Sequence, residues 1–300
     1  MSSSGRHVPL VKLHGLGNDF LVAFHPGEFL DGYRPADLES GGDGGAEPCA
    51  DRALGALAMA VCDRHRGVGA DGLLIAESDE HTSARMVLYN ADGSRAEMSG
   101  NGVRCLAHAL YLRRGDSGAV SMTFRTDAGL RRVDLQPTDE STTMSATVDM
   151  GEVTEIAEPS GWASVGADPG RPVAHLSLGN PHAVVPVDDV TAVDLAAIGS
   201  KVPDVNVEIV QAGPHPNAIT MRVHERGAGI TEACGTGACA AAVAARRWGL
   251  ADLEAGKLMV HMDGGTASVL FGTDEEPATP PRVSLSGPTT YIATIDAATQ

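Results

Sequence analysis

A pattern of strand, glycine loop and helix is written twice along the 300 residues, so one architecture must satisfy both copies. In the first copy the apolar strand pattern from Arg85 to Asn90 (RMVLYN) leads through ADGSRAEM to Ser99-Gly100-Asn101-Gly102. In the second, Thr220 to Glu225 (TMRVHE) leads through RGAGITEA to Cys234-Gly235-Thr236-Gly237. Each copy places the polar strand end, Asn90 or Glu225, nine positions before the residue ahead of the first glycine, Ser99 or Cys234.

The match continues downstream. Val103, Leu106, Ala107 and Leu110 fall at helical spacing, and the segment closes on Arg113-Arg114-Gly115. Ala238 to Trp248 is apolar almost all round, which predicts a buried helix, and it closes on Arg246, Arg247, Trp248 and Gly249. Arginines there oppose the helix dipole, and glycine accepts the left-handed cap. A strand-turn-strand pattern follows each helix, SMTFRTDAGLRRVDL and KLMVHMDGGTASVLF; upstream, Leu16-Gly17-Asn18 is echoed by Leu178-Gly179-Asn180. The expected fold is α/β: two similar halves, each wrapping strands around a central helix. Gly41 to Pro48 (GGDGGAEP) reads as an acidic insertion, and Thr273 to Pro281 (TDEEPATPP) as a loop.

Charge narrows the partners. With 39 acidic against 22 basic residues the net charge is -17, and no long basic run offsets it, so nucleic acid is not an expected partner. No apolar run is long enough to span a bilayer, and MSSSGRHVPLVK lacks a secretory core. Five scattered cysteines (Cys49, Cys62, Cys105, Cys234, Cys239) do not form a disulfide framework. These features predict a cytoplasmic protein with free thiols and no membrane contact. Cys62-Asp63-Arg64-His65 and the Cys234/Cys239 pair have no matching second pair, so no metal is expected.

A Gly-x-Gly at a helix start presents unpaired amides at the positive end of the dipole, which makes each loop an anion site. Gly235 to Ala240 fits G-x-G-x-x-A, with Glu254 nearly twenty residues on. A dinucleotide turn would follow its strand directly, however, and nine residues intervene here. Two facing helix N-termini would instead grip one carboxylate. They would set Ser99 and Cys234 on opposite faces of its α-carbon, where a proton could leave on one side and return on the other. The amides would disperse the charge that develops. The dipole and amides predict a Cys234 pKa lowered toward neutrality. The other four cysteines read as buried apolar side chains.

With these residues assembled, the chain resembles the diaminopimelate epimerase family along nearly its whole length. The carrying segments are KLHGLGNDF (Lys12 to Phe20), RGVGADG (Arg66 to Gly72), NADGS (Asn90 to Ser94) and GNGVR (Gly100 to Arg104). GNPH (Gly179 to His182), Asn206-Val207-Glu208 and ERGAGITEACGTGACA (Glu225 to Ala240) complete them. The resemblance implies a pyridoxal-independent, cofactor-free and metal-free epimerase interconverting LL- and meso-diaminopimelate, a precursor in lysine and peptidoglycan synthesis. Only Lys12, Lys201 and Lys257 are lysines, in keeping with an absence of pyridoxal chemistry. It further implies two pseudo-symmetric halves, residues 1–137 with 287–300 and residues 138–286, with the site between them; a homodimer stays open.

By the same resemblance Cys234 is one catalytic thiol, with Gly235 and Thr236, and Gly100 and Asn101, offering amides to the reacting carboxylate. Asn18, Asn90, Asn180, Asn206, Glu225 and Arg226 would hold the substrate, chiefly at its distal centre, where an arginine fork and a glutamate suit a carboxylate and an ammonium. The asparagines also sit where turn chemistry places them. His182 is an auxiliary candidate beside the site, or a structural histidine. Two positions depart from the family. Ser99 stands where a second catalytic cysteine is found, and Ile230 where glutamate is usual; Cys105, six residues on, is too far along its helix to substitute. Besides a working Ser/Cys epimerase, this leaves a variant weakened by loss of one thiol, a binding protein without turnover, and an epimerase of a related amino acid. The phenazine-biosynthesis isomerases share such a fold without the thiol pair, and the retained Cys234 argues against that reading.

Overall fold

The computed structural model describes residues 6–24, 46–272 and 280–299. Its strands pair in one order, used twice. Arg6–Gly15 is antiparallel to Asn18–Phe24, which runs parallel to Gly72–Glu77; Gly72–Glu77 is antiparallel to Ala84–Asn90. Ala84–Asn90 then lies parallel to Val120–Thr126, with the helix Gly100–Arg114 as the crossover, and Gly129–Pro137 and Thr143–Glu152 follow as an antiparallel meander.

The second copy repeats each step. Ala174–Ser177 is antiparallel to Pro181–Pro186, which is parallel to Asn206–Ala212, itself antiparallel to Ala218–Glu225. Ala218–Glu225 is parallel to Lys257–Met262 across the helix Gly235–Arg247, and Gly265–Phe271 and Arg282–Thr299 complete the meander. The predicted duplication is thus present in the order of parallel and antiparallel ladders, well beyond the motifs that announced it.

One long strand joins the two circuits. Arg282 to Thr290 pairs with Thr143–Glu152, and Thr290 to Thr299 pairs with Arg6–Gly15. Thr154–Glu155, just past the end of Thr143–Glu152, pairs with Ala174–Ser177. Strands therefore encircle each helix, and the ladder between Thr143–Glu152 and Arg282–Thr299 belongs to both rings.

Burial follows from this closure. Thr143–Glu152 buries alternate residues, Met144, Ala146, Val148 and Met150, because one face looks onto a helix and the other outward. Asn18–Phe24 and Gly72–Glu77 are buried on both faces. Val22 and Leu74 point to the inner core with Val103 and Leu106, while Leu21, Leu73 and Ile75 meet Leu54, Leu57 and Val61 of the outer helix Ala46–Cys62. In the second half Val207 and Ile209 meet Trp162 and Leu195 in the same manner. Gly235 through Ala245 are all buried, as the apolar run predicted. Both helices end on left-handed glycines, Gly115 (φ 67°) and Gly249 (φ 66°). The arginines before them also stack on aromatic rings, Arg113 on Phe24 at 4.6 Å and Arg246 on Phe271 at 5.0 Å.

One loop expectation is corrected. Of Gly41 to Pro48, residues 41–45 lie outside the described residues, but Ala46, Glu47 and Pro48 begin the Ala46–Cys62 helix. Proline is compatible with a first helical turn, where amides have no intrahelical acceptor. Of Thr273 to Pro281, residues 273–279 lie outside the described residues. Among the described residues no helix is long and apolar enough to cross a membrane.

Candidate active site

The pseudo-symmetry brings the two glycine loops face to face in a cavity of about 920 Å³. A Cβ on Gly235 would stand 3.2 Å from Gly100 Cα and 2.8 Å from Leu285 Cδ2; one on Gly100 would stand 3.5 Å from Gly235 Cα. The helix N-termini touch backbone to backbone, which only glycine permits. Gly235→Ala is accordingly expected to destabilise the fold by about 1–3 kcal/mol through overpacking. Denaturant unfolding checks it: an unchanged midpoint would show that the loops have room to part.

Ser99 and Cys234 are the N-caps of the two helices. Ser99 Oγ accepts from the Gly102 amide at 3.0 Å and Cys234 Sγ from the Gly237 amide at 3.4 Å, both from extended backbone. The caps and the first helical turns take up the amides from the third helical residue onward. The amides of Gly100, Asn101, Gly235 and Thr236 are left pointing out of the helix ends. This is a four-amide cradle for an anion, built from two dipoles of the same sign.

The Cys234 expectation is corrected. Its pKa is raised well above the ordinary thiol value, chiefly by burial (the residue is 4% exposed) and then by the nearby carboxyls of Glu225 and Glu208. The Thr236 hydroxyl and Gly237 amide pull the other way and are outweighed. Burial likewise raises the Glu225 carboxyl, which hydrogen-bonds the thiol and accepts from Thr231 Oγ1. Cys234 is accordingly a thiol at neutral pH, hence a proton donor. Glu225→Gln removes a neighbouring negative charge, so the thiolate form of Cys234 should appear at lower pH than in the parent. Thiolate absorbance measured against Cys234→Ala checks the sign. The Cys234→Ala reference subtracts the other thiols, among which burial pushes Cys62 to about 12, Cys105 to about 11 and Cys239 higher still.

A chain of side chains backs the thiol. Thr236 Oγ1 lies 3.5 Å from Cys234 Sγ and accepts from Asn180 Nδ2 at 3.2 Å; Asn180 Oδ1 faces His182 Nε2 at 3.1 Å, and His182 Nδ1 faces Glu208 Oε1 at 2.7 Å. His182 and Glu208 are both fully buried, so His182 stands behind the site and does not line the cavity.

The asparagines both frame the loops and face the cavity. Asn206 donates to the Pro181 carbonyl and accepts from the Arg226 amide. Asn18 donates to Asp71 and accepts from Asn101, whose amide also reaches the Ala233 carbonyl across the halves. Asn90 donates to Ser94 Oγ. Each keeps further donor or acceptor capacity free. Asn18, Asn90, Asn180 and Asn206 line the cavity with Ser99, Gly100, Glu225, Arg226, Cys234, Gly235 and Thr236; the Asn101 side chain lies beneath it.

The family-model match extends over residues 46–156 and 175–288, and its description is diaminopimelate epimerase. A diaminopimelate epimerase of Acidiphilium cryptum is 38% identical over 276 residues, covering 89% of this chain and 90% of its own. The chain belongs to the diaminopimelate epimerase family. Two solved structures share the fold at 15% identity: a phenazine biosynthesis protein of Bacillus anthracis (TM-score 0.67; 97% of this chain, 98% of its own) and a hydroxyproline epimerase of Agrobacterium vitis (TM-score 0.65; 99% and 94%).

In this member of the diaminopimelate epimerase family, several cavity residues were not assigned from sequence. Arg64 clamps Asp19 and Asp71 with contacts of 2.8 and 2.7 Å, and Asp71 in turn fixes Asn18. Glu97 meets Arg226 at 3.6 Å across the cleft. Glu208, fully buried behind the cavity, was part of a matched motif without a role. The motif RGVGADG pointed to Asp71, but a pairing 53 residues away from Asn18 leaves no mark on either segment. Ile230 lies half-exposed on the cavity wall, an apolar patch among polar groups. Among the described residues no group of three His, Cys, Asp or Glu side chains is placed to hold a metal ion.

Proposed function

We propose that the chain interconverts LL- and meso-diaminopimelate by removing and returning the α-proton on opposite faces, with Cys234 on one face and Ser99 on the other. The observation that carries this reading is the pair of abutting helix N-termini, capped by those two residues, in a family of diaminopimelate epimerases. The four loop amides hold the reacting carboxylate and disperse the charge that builds on it as the Cα–H bond breaks. In one direction Cys234, its own proton first lost to solvent, takes the α-proton as the Ser99 hydroxyl, or a water it holds, supplies one from the other face. Solvent then restores both groups. Arg226 and Glu225, with the free amide groups of Asn18, Asn90, Asn180 and Asn206, hold the rest of the substrate.

The halves are residues 1–137 with 287–300 and residues 138–286. The long last strand, paired with Arg6–Gly15 from Thr290 on, supports this division. The free thiols of Cys62, Cys105, Cys234 and Cys239 suit a reducing compartment, and a cytoplasmic location belongs to the same reading. The test is α-proton exchange in deuterium oxide, followed by NMR with each isomer supplied separately. Exchange with growth of the second isomer is expected; silence with both isomers would overturn the assignment.

A further inference from the structure

Among the described residues no acidic side chain pairs with the Arg104 guanidinium. Its side chain is fully buried, and none of the ion pairs among the described residues includes it. Its Nε donates to the Gly100 carbonyl at 3.3 Å, one Nη donates to Asn101 Oδ1, and the other Nη has no acceptor among the described residues. Burial pulls its pKa down only to about 10, so the charge is present at neutral pH. The surroundings are shaped to admit it. A Cβ on Gly287 would fall on the unpartnered Nη, and one on Gly15 would stand 3.3 Å from the other.

Removing such a cation from water without a partner costs several kcal/mol, and apolar residues commonly replace buried charges without loss of stability. A fold that needs only volume here has no use for an arginine. The site does. Arg104 lies one turn along the helix from Gly100, the first residue of one cradle loop, and its Nε holds the Gly100 carbonyl. By accepting nothing and donating only, it also fixes Asn101: the carbonyl oxygen must face Arg104, so the amide nitrogen faces outward to Asn18 Oδ1 and the Ala233 carbonyl, each at 3.2 Å. Ala233 is the residue before Cys234, so one amide locks the two half-sites in register.

We infer that Arg104 is a positioning residue of the reaction, a fixed buried cation that orients Asn101 across the two loops and whose missing counter-charge is the substrate carboxylate. The inference rests on the epimerase reading. It is specific to the charge that develops as the α-proton leaves, where preorganised positive groups act most strongly.

The experiment compares α-proton exchange in the parent protein, Arg104→Met and Arg104→Lys, with near-UV circular dichroism and melting temperature for each. The parent decides the underlying reading, since an inactive parent would defeat that reading and not this one. With an active parent, Arg104→Met should fold, melt at or above the parent temperature and lose about 100-fold in turnover number. A purely structural arginine would give the opposite pattern, a lower melting temperature with turnover per folded molecule unchanged, and that result would overturn the inference. Arg104→Lys keeps the charge but cannot reach Gly100 and Asn101 together, and should lie between the two. If Arg104→Met does not fold, Arg104→Lys decides: turnover lowered several-fold in a folded protein supports the inference, and parental turnover overturns it.

Discussion

Cys234→Ala should stop α-proton exchange from both LL- and meso-diaminopimelate, by about 10³-fold or more given what a positioned acid or base contributes. In the proposed reaction both isomers pass through this sulfur, which serves one as base and the other as acid. Binding should survive. In the proposed site the carboxylate is held by main-chain amides of Gly235, Thr236, Gly100 and Asn101, none of which the substitution removes. Loss of the Sγ cap on the Gly237 amide weakens one helix end by about 1 kcal/mol, too little to unfold the protein. Diaminopimelate should therefore still raise the melting temperature of Cys234→Ala while the exchange signal is flat. Exchange persisting in that variant would place the chemistry elsewhere. A parent that binds the ligand as well as the variant does, with no exchange to lose, would leave a binding protein.

What the linear sequence disclosed and what it concealed divide along physical lines. The duplication was legible because strand periodicity, glycine loops and helix stops are local signals, and they recur in order. Ser99 and Cys234 could be singled out for the same reason, since an N-cap before Gly-x-Gly is a feature of a few consecutive residues. The sign of the Cys234 shift was not. It depends on how deeply the thiol is buried and on Glu225 and Glu208, and the sum of opposing effects needs distances. Arg104 was hidden more thoroughly. An arginine in a helix reads as a surface residue, and only closure of the first ring around Gly100–Arg114 turns the face that carries Arg104 inward. The Asn101–Ala233 contact likewise joins segments 132 residues apart.

Such long-range contacts keep a cleft made from two copies of one unit from sliding out of register. The Arg64 clamp on Asp19 and Asp71 holds Asn18, Asn18 meets Asn101, and Asn101 reaches the loop of the other half. On the second side Glu208, His182, Asn180 and Thr236 run in sequence to the thiol. The two caps sit at helix ends, yet their mutual placement is set by polar side chains between elements. Such placement is what proton transfer on opposite faces of one carbon requires.

Ser99→Cys should raise the rate of inversion by about 100-fold, within the range that general acid–base groups contribute. The two caps occupy equivalent positions, but a hydroxyl is far less acidic than a thiol. On the proposed mechanism, proton transfer on the Cys234 face is therefore the easy half of the reaction in the parent and transfer on the Ser99 face the hard half. The isomer whose α-proton faces Cys234 should take up deuterium faster than it inverts, because the carbanion is more often reprotonated by the thiol that formed it. The other isomer must give its proton to an oxygen, and should exchange slowly. A thiol at position 99 restores chemical equivalence, so inversion should approach exchange in both directions and the difference between the isomers should shrink. The cap itself is retained, since a sulfur at the equivalent position of the other helix already accepts the Gly237 amide. The measurement is the ratio of deuterium uptake to inversion for each isomer, in the parent and in Ser99→Cys. Equal ratios in the two proteins would mean that Ser99 is not the second face, and that the group opposite Cys234 is a water held by the loop or another wall of the cavity.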